Sequence, residues 1–275
     1  MTRLSSSPLR LSKHLGQHFL VDGRQVRRFV ELVQCESDAL CIEVGPGQGV
    51  TTECLAPQVP RLCAVELDAR WIPALRERCA AFPQVTVLHG DILRFEPPPH
   101  QPLVVVGAIP YQITSPLLEQ LAGWKPRLRR AYLIIQREVA QRLAASPGTS
   151  AWGRISCLVQ YHFEVRKRWD VPPEAFRPRP RVQSAAVELI SRPAPPCRVE
   201  DEPFFFALIG RIFQQRRKTL WNALRSWDRR LRSESQLREA LDAVHIAPSM
   251  RGETLPLADL ARLANHLSQQ KAGDQ

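Results

Sequence analysis

The sequence of 275 residues predicts an α/β fold, with a mostly parallel sheet covered by helices on both faces, followed by a small all-helical domain. Short apolar runs alternate with helix-like stretches from residue 22 to residue 136, which is the pattern of successive β-α-β units. Past residue 197 the apolar residues recur at helical spacing instead, as Phe205, Leu208, Ile209 and Ile212 do on one face.

Each element of the α/β part has a local reason. A helix is predicted over residues 22–34, because Asp22 can cap its N-terminus and the apolar residues that follow share one face. Asp68 opens a second predicted helix, which runs to residue 81. Five apolar runs are predicted to be buried strands, namely residues 39–44, 61–67, 85–89, 103–106 and 132–136.

The remaining elements divide the chain into three parts. Residues 1–21 form a basic N-terminal segment, residues 22–191 the α/β domain and residues 197–275 the helical domain. Within the α/β domain, a proline-rich extended loop over 172–182 precedes a last strand at 185–190, expected to form a terminal hairpin across the sheet edge. The helices predicted in the C-terminal domain cover residues 204–213, 237–244 and 257–267.

The net charge of +11 is distributed unevenly along the chain. Residues 31–123 carry 5 basic and 11 acidic side chains, whereas residues 124–191 carry 13 basic and 5 acidic ones. An acidic centre between basic flanks fits a compact ligand-binding core around which a polyanion such as nucleic acid docks. A solvated basic surface would give the same composition, so charge alone leaves both interpretations open.

The seven cysteines are odd in number and include no Cys-x-x-Cys pair. Several of them, such as Cys41 and Cys63, stand in strand-like runs where a reduced thiol packs as a small hydrophobe, which indicates a reducing compartment and argues against a disulfide framework or a zinc site. His14 and His18 are interpreted as non-ligands, because Gly16 lies between them and no third ligand is near. The basic N-terminus resembles a transit peptide, but it has no secretory core, no apolar run could span a membrane, and we expect a cytoplasmic protein.

A glycine-rich loop, Gly45-Pro46-Gly47-Gln48-Gly49, follows the first predicted strand. Enzymes that bind NAD, FAD or S-adenosylmethionine all use such loops, because glycine lets the backbone turn sharply and approach a ligand closely. Here the spacing is GxGxG rather than GxGxxG, and Glu43 stands at the end of the strand before it. A carboxylate at that point attracts the cationic amino group or sulfonium of S-adenosylmethionine and repels a pyrophosphate, so S-adenosylmethionine is favoured over NAD.

Two further acidic residues end predicted strands. Glu66 closes the second strand, where a carboxylate can accept hydrogen bonds from two ribose hydroxyls, and Asp91 follows the third, where it can accept the amino group of adenine. Each acid alone could be a surface residue or a helix cap. Three acids at successive strand ends indicate a nucleoside cofactor.

The fourth predicted strand ends in the turn Gly107-Ala108-Ile109-Pro110-Tyr111, at the sheet edge where α/β proteins hold ligands. Proline has a fixed φ and presents its carbonyl rigidly, and tyrosine offers a flat face on which a base can stack. We therefore predict that the chemistry takes place at this turn.

In combination these motifs resemble those of the rRNA adenine N6-dimethyltransferases of the bacterial small-subunit type, over the chain from about Leu11 to Leu267. The matching motifs are Gly16-Gln17-His18-Phe19-Leu20, residues 43–49, Glu66-Leu67-Asp68, Gly90-Asp91, Pro110-Tyr111, Gln136-Arg137-Glu138-Val139, Tyr161, residues 172–182, and Phe213 with Arg216-Arg217-Lys218-Thr219-Leu220. Resistance methyltransferases of large-subunit rRNA share the core, but the Pro172-Pro173-x-Ala175-Phe176 stretch is more similar to the small-subunit type.

The resemblance implies a class I (Rossmann-like) S-adenosylmethionine methyltransferase domain with a helical, RNA-binding C-terminal domain. It implies transfer of four methyl groups to two adjacent adenosines near the 3′ end of small-subunit (16S) rRNA, within a maturing ribosomal subunit. We expect a monomer that needs neither a metal nor a membrane. The implied cofactor contacts, to which the loop argument adds Glu43 and Gly47, are His18, Leu20, Gly45, Glu66, Asp91 and Ala108, with residues 16–20 folding over the cofactor.

The implied catalytic positions are Ala108, Pro110 and Tyr111, and Ala108 departs from the family. In the family turn, Asn-x-Pro-Tyr, the Asn oxygen and the Pro carbonyl accept the amino hydrogens of a flipped adenine while the Tyr ring stacks on it. Ala108 has no side-chain acceptor, and losing one such hydrogen bond costs about 3 kcal/mol, or roughly a hundredfold to a thousandfold in rate. A second departure is His18 in place of the usual Asn, where His can still donate or accept a hydrogen bond.

Three explanations for Ala108 remain open at this point. Gln112 or the Ala108 carbonyl could supply the missing acceptor. The protein could instead be a catalytically weak or inactive rRNA-binding assembly factor of the small subunit, built on the same scaffold. The residue could also be an engineered substitution.

Two basic runs are predicted to contact RNA phosphates. Arg177, Arg179 and Arg181 lie in the proline-rich loop, and Arg216, Arg217 and Lys218 lie in the helical domain. For each residue the alternative is a solvated basic face.

Overall fold

The computed structural model describes residues 17–225, 227 and 234–272. Most of the predicted N-terminal segment 1–21, including His14 and Gly16, therefore lies outside the described residues. Within them the strands are β1 (Phe19–Leu20), β2 (Leu40–Val44), β3 (Leu62–Glu66), β4 (Val85–His89), β5 (Leu103–Ala108), β6 (Leu128–Gln136), β7 (Phe163–Val171), β8 (Phe176–Arg177) and β9 (Ser184–Ser191). The α-helices are α1 (Gly23–Leu32), α2 (Val50–Leu55), α3 (Ile72–Cys79), α4 (Thr114–Gly123), α5 (Arg137–Leu143), α6 (Arg154–His162), α7 (Glu202–Gln214), α8 (Leu220–Leu224), α9 (Glu234–Ala243) and α10 (Leu257–Ala272).

Seven of these strands form one sheet in the order β4-β3-β2-β5-β6-β9-β7. The five strands from β4 to β6 are parallel, and β2 stands between β3 on one side and β5 on the other. Strands β2, β3 and β4 thus follow one another in the same direction across the sheet, and β5 is then placed on the other side of β2. The turns after β2 and β5 diverge at this reversal, which is where an open parallel sheet leaves a crevice for a ligand.

Both faces of the sheet are buried, as the apolar runs predict. On one face, helices α1, α2 and α3 pack against alternate strand residues such as Leu62, Ala64 and Val104. The intervening strand residues, for example Ile42 and Val105, are equally buried. Glu43, Glu66 and Ala108 belong to the first set by register, so the predicted site residues share one face at the carboxyl edge.

The last predicted strand is present as β9, and its place beside β7 at one end of the sheet agrees with the expected terminal hairpin, in which β9 is the inner strand. Strand β9 lies inside the sheet, antiparallel to β6, and β7 is the outermost strand. Buried Glu188 of β9 pairs with Arg130 of β6 at 2.8 Å and with Arg168 of β7 at 3.7 Å. The sequence did not identify β7 because its middle is basic and exposed, as edge strands commonly are.

The proline-rich loop also has more structure than predicted. Within residues 172–182 the strand β8 pairs antiparallel with β1, so that Phe19 faces Arg177 and Leu20 faces Phe176. Two-residue strands have no periodicity to read, and their pairing depends on residues more than 150 positions apart.

The chain separates into two compact units. One holds the chain up to Ala140 together with Val165–Ser191, and the other holds Gln141–Glu164 together with the chain from Arg192 onward. The sequence had assigned 141–164 to the α/β domain. The structure groups it with the C-terminal helices, because Trp152 and Tyr161 pack in one apolar core with Phe205 and Leu208. No described helix combines the length and apolar character needed to cross a membrane.

Gly107 in β5 marks the closest approach of two strands near the crevice, and it yields a stability prediction. A Cβ atom at this position would lie 2.8 Å from the Val44 carbonyl oxygen. We expect Gly107→Ala to lower the free energy of unfolding by about 1–3 kcal/mol, because the β2 backbone cannot yield without breaking its own pairing. Equilibrium urea unfolding measures the change.

Gly123→Ala is the matched control, since a Cβ at the end of α4 meets no atom within 4 Å. We expect this variant to be neutral or more stable by up to about 1 kcal/mol. Equal unfolding midpoints for the two variants would contradict the close-approach argument.

Candidate active site

The carboxyl ends of the parallel strands open into one cleft with about 1020 Å³ of space, counted to its open mouth. The turns after β2, β3, β4 and β5 line it, together with the described end of the N-terminal segment. Of the residues predicted to form the site, the cleft is lined by His18, Leu20, Glu43, Gly45, Glu66, Asp91, Ala108 and Pro110. The remaining two are adjacent: Gly47 lies under Phe19, and Tyr111 lines a smaller pocket beside the cleft.

The glycine-rich loop takes a backbone conformation that only glycine adopts freely. The φ angles of Gly45, Gly47 and Gly49 are +62°, +55° and +78°. Gly47 has a second reason to lack a side chain, because a Cβ there would lie 2.2 Å from Cε1 of Phe19. The described end of the N-terminal segment therefore packs directly on the loop.

The Glu66 carboxylate fixes the geometry of this corner. Its Oε2 accepts the Gly47 N–H at 2.8 Å and its Oε1 accepts the Asp68 N–H at 2.8 Å. The side chain is almost fully buried, and burial raises the pKa of Glu66 while the two backbone N–H groups oppose that shift. Each oxygen keeps a lone pair with which to accept a further hydrogen bond from a ligand.

Glu43 is the least compensated charge in the cleft. The residue is 2% exposed, and its buried Oε2 has no hydrogen-bond partner. Burial raises the pKa of Glu43 to about 7, the Thr52 hydroxyl opposes this shift, and the nearby charge of Glu66 adds to it. A buried carboxylate without a partner is costly, so this position favours a cationic ligand.

Asp91 completes the three acids at strand ends. Its Oδ1 accepts the Leu93 N–H at 2.9 Å and so caps a short 3-10 turn, Ile92–Arg94. This fixes the carboxylate at the cleft wall next to Gly90 and Ile92. The helix-cap role considered from sequence is therefore also present. Among the described residues no donor bonds Oδ2, so this oxygen can accept a hydrogen bond from a ligand.

Residues 17–20 are held over the cleft by three kinds of contact. Gln17 donates from Nε2 to Asp68 Oδ2 at 3.1 Å, and Arg70 pairs with the same carboxylate, so that the pKa of Asp68 falls to about 2. Phe19 packs edge-on against Trp71 with ring centroids 5.2 Å apart. The backbone pairing of β1 with β8 provides the third contact.

The Pro110-Tyr111 turn follows Ala108, the last residue of β5, and lines a small pocket beside the cleft. His18, Ala108 and Pro110 line both cavities. The Tyr111 hydroxyl bonds Ser184 Oγ at 2.9 Å, which fixes the ring, and burial raises the pKa of Tyr111, which keeps the phenol neutral. The small pocket thus has a fixed aromatic wall, and it shares His18, Ala108 and Pro110 with the cleft.

The candidate acceptor atoms at this turn are partly engaged. The Pro110 carbonyl accepts the Ile113 N–H at 3.1 Å and, at 3.5 Å, the Thr114 hydroxyl. A carbonyl oxygen has two lone pairs, so the one directed away from the turn can accept from a ligand. Ala108 contributes no side-chain acceptor, and the exposed Gln112 lines the larger cleft.

The six basic residues proposed to contact RNA lie outside both cavities and differ in what they already bind. Arg177 donates to the carbonyls of Glu174 and Phe176, and Arg179 pairs with the Glu174 carboxylate. Arg216 bonds Glu253 at 2.7 Å and the Ser150 carbonyl at 3.0 Å within the second unit. These partners give Arg177, Arg179 and Arg216 structural roles. Arg181, Arg217 and Lys218 are exposed, and among the described residues none of the three has such a partner.

Three residues of this region were not among those predicted. Gln17 and Phe19 belong to a motif quoted from the sequence, and the glycine at 47 could have indicated a bulky neighbour. Ser184 had no sequence signal, because it reaches Tyr111 only through the pairing of β9 with β6. Among the described residues, no three His, Cys, Asp or Glu side chains lie close enough together to hold a metal ion.

The ionisation of Glu43 gives a stability prediction with a definite sign. The folded-state pKa of about 7 lies above the ordinary value of 4.5, so the folded protein binds this proton more tightly than the unfolded chain does. The wild type should then lose stability as the pH rises from 4.5 through 7, by roughly 3 kcal/mol in total. Glu43→Gln cannot ionise, and its stability relative to wild type should rise by up to that amount between pH 4.5 and pH 8.

Urea unfolding of the ligand-free protein across that pH range makes the measurement. Glu53→Gln on α2 is the matched control, because the Glu53 side chain is 51% exposed and carries little burial cost. A Glu43→Gln difference that does not change with pH would show that the pKa of Glu43 in the folded protein stays near its ordinary value, because its charge is compensated.

Comparisons with known proteins identify the family to which the chain belongs. The sequence model of the family described as "Ribosomal RNA adenine dimethylase" matches residues 9–269. Two curated relatives are named "Ribosomal RNA small subunit methyltransferase A". The one from Chromohalobacter salexigens is 40% identical over 265 residues, covering 94% of this chain and 91% of the relative. The one from Geobacter metallireducens is 40% identical over 265 residues, covering 93% and 95%.

Solved structures confirm the predicted fold class. A dimethyladenosine transferase from Plasmodium falciparum superposes with a TM-score of 0.79 at 23% identity, over 93% of this chain and 98% of that chain. The 23S rRNA methyltransferase ErmE superposes with a TM-score of 0.71 at 26% identity, over 91% of this chain and all of that one. The chain therefore belongs to the ribosomal RNA adenine dimethylase family of S-adenosylmethionine-dependent methyltransferases.

Proposed function

We propose that this chain dimethylates N6 of two adjacent adenosines near the 3′ end of small-subunit (16S) rRNA, during maturation of the small ribosomal subunit. The observation that carries the proposal is the pair of connected cavities. The large cleft has three acids at strand ends, and the small pocket beside it has an aromatic wall and a rigid carbonyl. The cleft suits a cationic nucleoside cofactor, and the Tyr111 ring beside it offers a face on which a single flat base can stack.

The residues of the large cleft fit S-adenosylmethionine, which supplies an electrophilic methyl group on a positively charged sulfur. Glu43 is the proposed partner for the positive charge, because its buried Oε2 lacks any other partner. Glu66 is proposed to accept the ribose hydroxyls and Asp91 the adenine amino group. The remaining proposed cofactor contacts are His18, Leu20, Gly45, Gly47 and Ala108.

In the small pocket Tyr111 is the proposed platform for the target adenine. Its hydroxyl bond to Ser184 holds the ring in one orientation, so stacking would cost little side-chain entropy. The Pro110 carbonyl is proposed to accept one hydrogen of the adenine amino group. Accepting these hydrogens draws the nitrogen lone pair out of conjugation with the ring and makes the amine a better nucleophile.

Ala108 favours a second candidate function. Without a side-chain acceptor at this position, and with no substitute for it, methyl transfer would slow by roughly a hundredfold to a thousandfold. A protein with such a rate could still bind rRNA and act as an assembly factor of the small subunit. Retention of Glu43 argues for continued cofactor binding, since this carboxyl is buried with one oxygen lacking a partner and an apolar replacement would stabilise the fold.

We further propose that the protein acts as a monomer in the cytoplasm. All seven cysteines are free thiols in the structure, and Cys41, Cys63, Cys79 and Cys157 are buried. A chain that keeps this many unpaired thiols fits the reducing compartment where ribosomal subunits assemble.

Methyl transfer to immature small subunits tests the function. We expect radiolabel from S-adenosylmethionine to enter 16S rRNA of unmethylated small subunits and to be absent from large subunits given the same treatment. The wild type and Ala108→Asn are compared at equal concentration. Activity in Ala108→Asn alone would establish the assembly-factor function, and no transfer by either protein would refute the proposed reaction.

The salt dependence of rRNA binding tests the phosphate contacts. Arg181, Arg217 and Lys218 are the strongest of the six candidates, because they are exposed and, within the part of the chain that the structure describes, have no protein partner. We expect the Arg217→Ala/Lys218→Ala double variant to bind more weakly and to reduce the slope of log K against log salt by about 2, since each phosphate contact contributes roughly one unit.

Arg198→Ala is the matched control, because Arg198 is 89% exposed in the same unit and outside the basic runs. A slope that Arg198→Ala reduces equally would mean that binding senses only net charge. A wild-type affinity that does not vary with salt would remove the phosphate assignment altogether.

A further inference from the structure

We infer that His18 supplies the acceptor that Ala108 lacks, with its Nε2 accepting a hydrogen bond from the exocyclic amine of the target adenine. The inference rests on the proposed function, and it assigns to His18 a role on the substrate in addition to any contact with the cofactor. It would make the chain an active enzyme despite the alanine in its turn.

The position of His18 is the first argument. His18 lines both the large cleft and the small pocket, together with Ala108 and Pro110. Its ring lies 5.7 Å from the Tyr111 ring, centroid to centroid, with 30° between the planes. A base stacked on Tyr111 would therefore have the imidazole as an immediate neighbour at the junction of the two cavities.

The protonation of the ring is the second argument. His18 Nδ1 lies 2.7 Å from the Pro178 carbonyl oxygen. A carbonyl can only accept, so Nδ1 must carry the hydrogen and donate it. In the neutral imidazole the other nitrogen then has a lone pair and no hydrogen, which makes Nε2 an acceptor. The bond to Pro178 thus selects the tautomer that an amino hydrogen requires.

The anchoring of His18 is the third argument, and it separates His18 from Gln112. The next two residues, Phe19 and Leu20, pair with Arg177 and Phe176, and Pro178 follows directly on that pairing. An acceptor held in this way needs little reordering when the base arrives. Gln112 lines the larger cleft with an exposed side chain, so its amide would have to be immobilised first.

Positions 18 and 108 are also the two departures noted from the family pattern, and they meet at the same pocket wall. In the family turn the amide stands at 108. Here the side chain at 108 has no acceptor atom. The side chain at 18 presents one on an imidazole ring that reaches further than an asparagine side chain. A single hydrogen bond from the adenine amine to His18 Nε2 explains both the alanine at 108 and the histidine at 18.

A double-mutant cycle tests the inference through the coupling of positions 18 and 108. The four proteins are wild type, His18→Asn, Ala108→Asn and His18→Asn/Ala108→Asn, the last of which has the family residue at both positions. We expect His18→Asn to lower kcat for methyl transfer at least about a hundredfold in the wild-type background, since it removes one transition-state hydrogen bond. In the Ala108→Asn background the same change should cost less than tenfold.

Two controls accompany the cycle. His100→Asn replaces an exposed histidine of the same unit whose φ of +61° an asparagine tolerates, and it should leave kcat unchanged. The affinity for S-adenosylhomocysteine is measured by calorimetry for all variants. A variant that loses activity because it binds the cofactor poorly would show a lower affinity, without a change in the coupling of positions 18 and 108. Gln112→Ala tests the competing acceptor.

A binding measurement gives a readout that does not depend on turnover. RNA hairpins that present adenosine or purine riboside, which lacks the amino group, are compared by fluorescence anisotropy in the presence of S-adenosylhomocysteine. We expect the wild type to prefer adenosine and His18→Asn to lose most of that preference. Ala108→Asn should keep it in either background.

The outcomes are distinguishable. An equal cost of His18→Asn in both backgrounds, an inactive wild type beside an active Ala108→Asn variant, or a hundredfold loss in Gln112→Ala would each overturn the role of His18 while leaving the methyltransferase function standing. Absence of methyl transfer by all four proteins would overturn the proposed function itself.

Discussion

The hydrogen bonds of the buried Glu66 carboxylate are the interaction on which the site depends. One oxygen holds the Gly47 N–H and the other the Asp68 N–H, so a single side chain ties the end of β3 to the loop after β2. The Asp68 carboxylate then accepts a hydrogen bond from Gln17, and the Phe19 ring packs directly on the Gly47 backbone. One carboxylate, two strands away from the proposed catalytic turn, therefore supports two of the groups that residues 17 and 19 contact over the cleft.

This corner gains function at the expense of stability. Glu43 and Glu66 lie close together with little solvent, and Glu43 has one oxygen without a partner. Burial, with a smaller contribution from the charge of Glu66, raises the pKa of Glu43 to about 7, so ionising this carboxyl costs folding free energy. A cation brings the missing compensation, and for that reason binding of a positively charged cofactor and stability of the fold are coupled through the same two residues.

The short β1–β8 pair links the two cavities. It brings residues near positions 18 and 178 together, and with them the wall shared by the cleft and the small pocket. A departure at Ala108 can be answered by His18 only because this pairing exists. Residues 18 and 108 therefore line the same pocket wall. An acceptor lost from position 108 can be replaced by one at position 18 that reaches the same proposed target base.

The sequence by itself determined the parallel sheet, since buried strands on both faces read as continuous apolar runs, and it determined the edge where the ligands bind, since glycines and acids follow those runs directly. It also predicted His18, Glu43, Glu66 and the turn at 108–111, which line the cleft or the small pocket beside it. Only the tertiary structure decided that β9 lies inside the sheet, that residues 141–164 belong with the C-terminal helices, and that Ser184 and Pro178 fix Tyr111 and His18. These features depend on pairing between distant segments, which local periodicity does not encode.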